Sequence, residues 1–237
     1  MNLAFYNGAV GASQQQKKLD VVSNNIANVN TEGYKSQSAT FVDMLYSNIH
    51  DTADNQTDLT VGSGARVEKT DIDFSAGALD ETGNDLDFAI EGDGFFAVYD
   101  LGTEEISYTR KGSFKMSEYG KNTFYLTTET GAFVLNSEGQ AIQVTGEEGE
   151  ELDIGVYDFE NYQGMLSTGD TYYTPVAKNG QPTLNTEAKV MQGYIEKSNS
   201  SLADEMVKVI EAQRVYQANL RMVSTADEIE QTINSLR

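Results

Sequence analysis

The 237-residue chain has no cysteine, no tryptophan, one histidine and two prolines, and each scarcity removes a class of explanation. Without cysteine there is no disulfide framework, no thiol nucleophile and no Cys-ligated zinc. The lone histidine, His50, stands in a polar stretch with Asp51, Asp54 and Asp58, and a Ser-His-Asp triad would need it held by a rigid element. No apolar run reaches the roughly 18 residues that read as a membrane span, and the N-terminus lacks the basic and apolar regions of a secretory signal. Basic residues are scarce as well: 16 Lys and Arg against 37 Asp and Glu give a net charge of −21. Residues 1–50 are balanced, three bases against three acids, and residues 196–237 hold five against seven, which leaves −19 for residues 51–195. Ends that pack against copies of themselves need to be near neutral, whereas an acidic middle repels its copies and belongs in solvent. Nucleic acid is a poor partner for such a chain, as are anionic membrane surfaces, and no membrane insertion is expected.

The acidic residues form no catalytic or ligand-holding pattern. A glycoside hydrolase needs two carboxylates facing each other across a cleft, and a calcium loop needs Asp or Asn at alternate positions with Gly at the sixth. Asp71 with Asp73, Asp85 with Asp87, and the run Glu147 to Asp153 match neither; they read as solvent faces of strands and a solvated turn. Gly92-Asp93-Gly94 has the look of a phosphate loop, but strand residues follow it and Asp93 would repel phosphate, so a tight hairpin turn is expected. No catalytic residue, cofactor or metal site is assigned.

What the chain does have is two long amphipathic ends. Leu202, Met206, Val209, Gln213, Tyr216, Leu220 and Val223 alternate in steps of four and three, which keeps one seam on one face of a helix. After Val223 the seam steps by three twice, through Ala226 to Ile229, before Ile233 and Leu236 resume it; this is a stammer-like skip. Ser200 or Ser201 is the expected N-cap, Asp204 and Glu205 suit the first turn, and a helix of about 35 residues, roughly 52 Å, follows. Polar Gln213 in the seam and Asn219 beside it suit an interface where hydrogen bonds set the register.

The first thirty residues repeat the theme. Phe5, Ala12, Leu19 and Ile26 recur every seven positions, with Gly8, Gln15, Val22 and Val29 offset by three, and the seam strengthens from Leu19 onward. Gly8, Ala9, Gly11, Ala12 and Ser13 give this helix little stability of its own, since each glycine costs about 1 kcal/mol relative to alanine. Asn24, Asn25, Asn28 and Asn30 lead to a helix end near 28–30, with Gly33 as the expected C-cap.

Residues 36–64 read as an extended or loop connector. From Ala65 to about Ile195 the period becomes two. Strands are expected at 65–71, 86–91, 95–100, 106–110, 113–116, 124–128, 132–135, 151–159, 172–177 and 189–195, separated by glycine turns. This is an antiparallel β sandwich or irregular barrel. Phe88, Phe95, Phe96, Tyr99, Tyr108 and Phe114 are core candidates, and because Phe95 and Phe96 point to opposite faces, one is available to a neighbour. The fold class is α+β: a helical arm over 1–35, the connector over 36–64, a β domain over 65–195 and a second helical arm over 196–237, the two arms pairing as in a coiled coil.

The run Leu19 to Lys35, LDVVSNNIANVNTEGYK, resembles the N-terminal signature of the bacterial flagellar rod and hook proteins, through Asn24, Asn25, Asn28, Asn30, Gly33 and Tyr34. Glu32 stands where that signature usually has proline or another small or polar residue, and Tyr34 where it often has phenylalanine. Leu86 to Val98, with Gly92, Gly94, Phe95 and Phe96, and Tyr108 to Phe114 are similar to the family's β segment. Gly193 to Asn199, Glu205-Met206 and Glu211 to Asn219, with Gln213, Arg214, Tyr216 and Asn219, are similar to its C-terminal helix. Together these matches span nearly the whole chain. Within the family, the length, Phe41 to Tyr46 and Gly62 to Arg66 are most similar to the distal rod members.

The resemblance implies a non-enzymatic axial subunit of the basal body outside the cytoplasmic membrane, in the periplasm or cell wall. It also implies export by the flagellum's own secretion apparatus, and copies of itself and other rod and hook proteins as partners. It implies too that the region of residues 47–64 helps lock neighbouring subunits. A small hook-type or hook-associated axial protein is the alternative. A secreted β domain that binds or cleaves polysaccharide, with oligomerising arms, is a second.

Overall fold

A chain whose ends carry heptad spacing and whose middle carries period-two alternation folds as α+β in the computed structural model, which describes residues 3–48, 60–120, 123–145 and 152–236. His50, its neighbouring aspartates and Glu147 to Glu151 lie outside the described residues. Two compact units are interleaved along the chain. The first holds residues 1–27, 37–71 and 201–237, the second residues 28–36 and 72–200, so the backbone passes from one to the other four times.

The first unit contains helix α1 (Leu3–Ala27), strands β1 (Gln37–Asp43), β2 (Tyr46–Asn48), β3 (Thr60–Gly62) and β4 (Ala65–Ile72, whose last residue belongs to the other unit), and, at the end of the chain, helix α2 (Leu202–Ser235). The connector is thus partly sheet, β1 pairing with β4 and β2 with β3. Of the two serines proposed as N-cap, Ser201 serves: it is extended, and its hydroxyl accepts from the Asp204 N–H at 3.4 Å. Helix α1 stops at Ala27, one residue before the expected range, and Asn28 to Gly33 form a turn in which Thr31 N–H donates to the Asn28 carbonyl at 3.1 Å. Gly33 is therefore not the C-cap. Its φ is +65°, and a Cβ there would lie 2.4 Å from the Lys111 nitrogen, so glycine is required for backbone approach within the second unit.

The second unit contains β5 (Leu79–Glu81), β6 (Phe88–Glu91), β7 (Phe95–Asp100), β8 (Glu105–Thr109), β9 (Lys115–Glu118), β10 (Phe124–Thr127), β11 (Phe133–Val134) and β12 (Gln143–Val144). It continues with β13 (Val156–Asp158), β14 (Leu166–Gly169), β15 (Tyr172–Thr174), β16 (Thr183–Leu184), β17 (Lys189–Gln192) and β18 (Tyr194–Glu196). Among the described residues the main sheet has ten strands in the order β12-β10-β11-β7-β8-β15-β14, with β9, β13 and β16 joined beside that path, and its pairs are antiparallel. The single strand expected at 189–195 is broken at Gly193, φ +80°, so that β17 pairs with β6 and β18 with β5.

Strand β7 lies at the centre and is buried on both faces. Phe96 and Val98 pack with Phe88, Phe114, Leu126 and Val134 on one side, and Phe95 and Ala97 with Tyr108, Phe159 and Tyr173 on the other. Neither Phe95 nor Phe96 is available to a neighbour, since both are 0% exposed. Asp87, expected on a solvent face, is also buried, its carboxylate accepting from Thr82 Oγ1 at 2.6 Å and Asn84 Nδ2 at 3.1 Å.

Candidate assembly interface

In the first unit α1 and α2 pack antiparallel. Gly8 lies against Val223 and the Asn219 carbonyl, Gly11 against the Asn219 side chain, and Asn25 against Glu205. The buried positions of α1 are Gly8, Ala12, Val22 and Asn25, with Gln15, Leu19 and Ile26 half-buried between them. On α2 the buried positions are Glu205, Ala212 and Ala226, with Val209, Tyr216, Asn219 and Val223 half-buried. These α2 positions alternate four and three from 205 to 226 without a skip. Apart from Val209, Tyr216 and Val223, the α2 residues on this face are small or polar, and with Gly8 and Gly11 opposite them little apolar area lies between the helices.

The larger apolar residues of α2 lie elsewhere. Leu202, Met206, Leu220, Ile229, Ile233 and Leu236 are exposed, as are Val207, Ile210, Val215 and Met222, with Met206 at 56% and Leu236 at 83%. Phe5 of α1 is exposed too, at 43%, and Val29 is half-buried beyond the helix end. The structure thus brings Ala12, Leu19, Val22, Ile26, Val209, Tyr216 and Val223 into or beside the helix pair, and holds Phe5, Leu202, Met206, Leu220, Ile229, Ile233 and Leu236 outside it. Gln213 and Arg214 are exposed; the polar residues at the helix pair are Asn25, Glu205 and Asn219.

Asn25 is the most consequential of the signature asparagines in this unit. Its Nδ2 donates to the Gln37 carbonyl at 2.8 Å and to Glu205 Oε2 at 3.3 Å, and its Oδ1 accepts from the Gln37 N–H at 2.9 Å. Lys208 Nζ donates to the other Glu205 oxygen at 2.6 Å. The end of α1, the start of β1 and the first turn of α2 are joined by one fully buried amide. Asn24 and Asn30 are exposed and Asn28 half-buried.

The second unit has a charged counterpart that was not among the residues singled out from the sequence. Lys35 and Glu196, each 1% exposed, pair at 2.6 Å, and Arg110 Nη1 donates to the other Glu196 oxygen at 3.2 Å. Lys35 also donates to the Ser75 carbonyl at 2.7 Å, Arg110 Nη2 to the Gly92 carbonyl at 2.8 Å, and the Gly77 N–H to Glu196 at 2.7 Å. Arg110 lies over the Phe95 ring, 5.5 Å from its centre. Burial, opposed by Glu196, holds the Lys35 ammonium below the usual lysine pKa. Each residue of this triad sits in one of the three family-like segments; that coincidence was the available signal. Buried Tyr34 belongs to the same strap, its carbonyl accepting from Asn199 N–H at 3.4 Å, and Gly94 is buried against Val156, so that a Cβ there would lie 2.5 Å from a valine methyl.

Among the described residues no three His, Cys, Asp or Glu side chains group as metal ligands, and no helix is long and apolar enough to cross a membrane. The first unit has an open cleft of about 650 Å³ lined by Tyr6, Asp43, Met44, Leu45, Ser63 and Arg66, with one acid and one base and no nucleophile–base pair.

Comparison with known families places the same three segments in one group. Residues 5–35 match "Flagella basal body rod protein", residues 89–156 "Flagellar hook protein FlgE/F/G D1 domain" and residues 191–236 "Flagellar basal body rod FlgEFG protein C-terminal". The flagellar basal-body rod protein FlgG of Bacillus subtilis is 32% identical, the alignment covering 99% of this chain and 98% of the relative. FlgG of Buchnera aphidicola subsp. Schizaphis graminum is 32% identical over 95% and 96%, and FlgG of Caulobacter vibrioides 31% over 99% and 99%.

Proposed function

The chain belongs to the flagellar basal-body rod protein family and is a structural subunit of the rod, not an enzyme; on that premise we propose that α1 and α2 form a coiled-coil-like arm that polymerises while the acidic β unit forms the outer layer of a hollow, torque-transmitting shaft. One observation carries this: Val209, Tyr216 and Val223 aside, α2 keeps its large apolar side chains outside its contact with α1. At about 25 cal/mol per Å², leaving them in water has a substantial cost that only association removes. Phe5, Leu202, Met206, Leu220, Ile229, Ile233 and Leu236 are the residues assigned to contacts with other subunits. Ala12, Leu19, Val22, Ile26, Val209, Tyr216 and Val223 are assigned to the arm itself, with Val29 and Gln213 at its margins. Copies of the chain and other rod and hook proteins are the partners.

The subunit acts in the basal body, outside the cytoplasmic membrane, after passage through the flagellar export apparatus, and its place is the distal rod, as its likeness to FlgG relatives suggests. Stiffness follows from close-packed helices, whose interiors yield little to compression. The test is electron microscopy of purified basal bodies carrying a tagged chain. Label along the shaft is the expected result; label that stays with the soluble fraction overturns the reading.

A further inference from the structure

The exposed apolar residues of α2 are not one stripe but two. At about 100° per residue, positions facing α1 centre on Glu205, Val209, Ala212, Tyr216 and Val223, and the exposed apolar residues, Val207 apart, fall about 100° to either side. One flank carries Leu202, Met206, Ile210 and Leu220; the other carries Val215, Met222, Ile229, Ile233 and Leu236. Each is free of charge over only part of the helix. The first flank has no ionisable residue from Leu202 to Ser224 and then meets Asp227 and Glu228, whereas the second holds Asp204, Lys208 and Glu211 and is free of charge from Val215 to Leu236.

We propose that these flanks dock on each other between copies, the 202–224 stretch of one α2 against the 215–236 stretch of the next, with the two helices parallel and displaced by about 12 residues, roughly 18 Å. The inference rests on the reading of the chain as a self-assembling shaft subunit. A level arrangement would set Leu202, Met206 and Ile210 of one copy beside Asp204 and Glu211 of the next, burying carboxylates against methyl groups while Lys208, the cation between them, is held by Glu205 at 2.6 Å. The displaced arrangement sets apolar against apolar over the full charge-free length and leaves both acidic stretches in water. Because the surfaces differ, the contact is head-to-tail and does not saturate in a dimer; because of the offset, each added copy climbs along the axis.

The absence of cysteine makes the test clean. Full-length chain carrying Ile210→Cys with Met222→Cys, produced in the source bacterium in place of the native copy, should give disulfide-linked ladders from isolated rods under mild oxidation. Ile210→Cys with Glu211→Cys, which reports level pairing, should give none, and neither should Ile210→Cys alone. Charge placement supplies a second measurement that does not depend on oxidation: Ile210→Lys and Met222→Glu should each lower incorporation roughly tenfold or more. Gln231→Lys and Glu211→Lys, on the same flanks but outside the docking stretches, should change it less than about twofold. Ladders from the level pair, or equal sensitivity at Glu211 and Met222, would overturn the displaced docking while leaving the rod assignment intact. A tagged wild-type chain absent from basal bodies would instead remove the rod assignment.

Discussion

The two units solve the problem of burial in opposite ways. In the β unit the large residues are inside: Phe95 and Phe96 are wholly buried, and Phe74, Phe159, Tyr162 and Tyr173 pack edge-on or tilted around Phe95 or its neighbours. In the helical unit the buried residues are Gly8, Ala12, Val22, Ala212 and Ala226 plus the Asn25–Glu205 pair, and most of the large apolar residues of α2 are outside. A unit of the first kind holds its own core; on the proposed reading, one of the second kind is completed by its neighbours. The lesson is that apolar content does not locate a core unless one also asks which residues touch within the molecule.

The largest way to break this contrast is to remove one side of it. Deleting Leu202 to Arg237 should abolish incorporation into rods yet leave the β unit folded, checked by basal-body immunoblotting and by the circular dichroism of the truncated chain. Next in size, Glu196→Gln leaves Lys35 and Arg110 buried without an anion and should lower the stability of the β unit by about 3–5 kcal/mol in denaturant melts. Lys35→Met keeps the Arg110–Glu196 pair and should cost only about 1–2 kcal/mol. Gly8→Val probes the helical side: even a Cβ would sit 2.9 Å from a Val223 methyl, so the arm should lose about 1–3 kcal/mol by overpacking. Ile233→Ala, on an exposed residue, should change the isolated chain by less than about 0.5 kcal/mol while reducing incorporation.

Hydrogen exchange on the isolated chain sharpens the same contrast. Amides of α1 should exchange orders of magnitude faster than those of β7; equal protection would contradict an arm that depends on neighbours. The smallest effect is a pH dependence. Burial first raises the pKa of Tyr108, Tyr157, Tyr162 and Tyr173, with the Asp158 hydrogen bond adding at Tyr162. The stability these phenols contribute is complete below ~10 and is lost as pH rises through their folded values. Lys35, shifted down, works the other way, favouring the fold as pH climbs toward ~10.4, but it is one group against four. Denaturant melts with tyrosine absorbance should show a flat profile to about pH 9 and a decline above ~10.

The length of α2, its serine cap and most strands could be read in the sequence, because caps, glycines and period-two alternation are local signals. The seam could not. Leu202, Met206, Gln213 and Leu220 belong to one flank and Ile229, Ile233 and Leu236 to the other, and joining them as one stripe created the apparent skip near Ala226. Hydrophobicity marks what needs covering, and alanine and glycine at a close helix contact carry almost no such mark. The Lys35–Glu196–Arg110 triad was hidden for a different reason: its members are far apart in sequence, and no local pattern announces which charges will be buried together.

The pairing of Gly8 with Val223 joins opposite ends of the polypeptide. A chain emerging from its N-terminus can begin the sheet with its middle residues, but the sticky arm must wait for nearly the last residue, and contacts this distant in sequence form slowly. Closure of α1 on α2 is thus a contact of very large sequence separation, expected to form after the hairpins of the β unit.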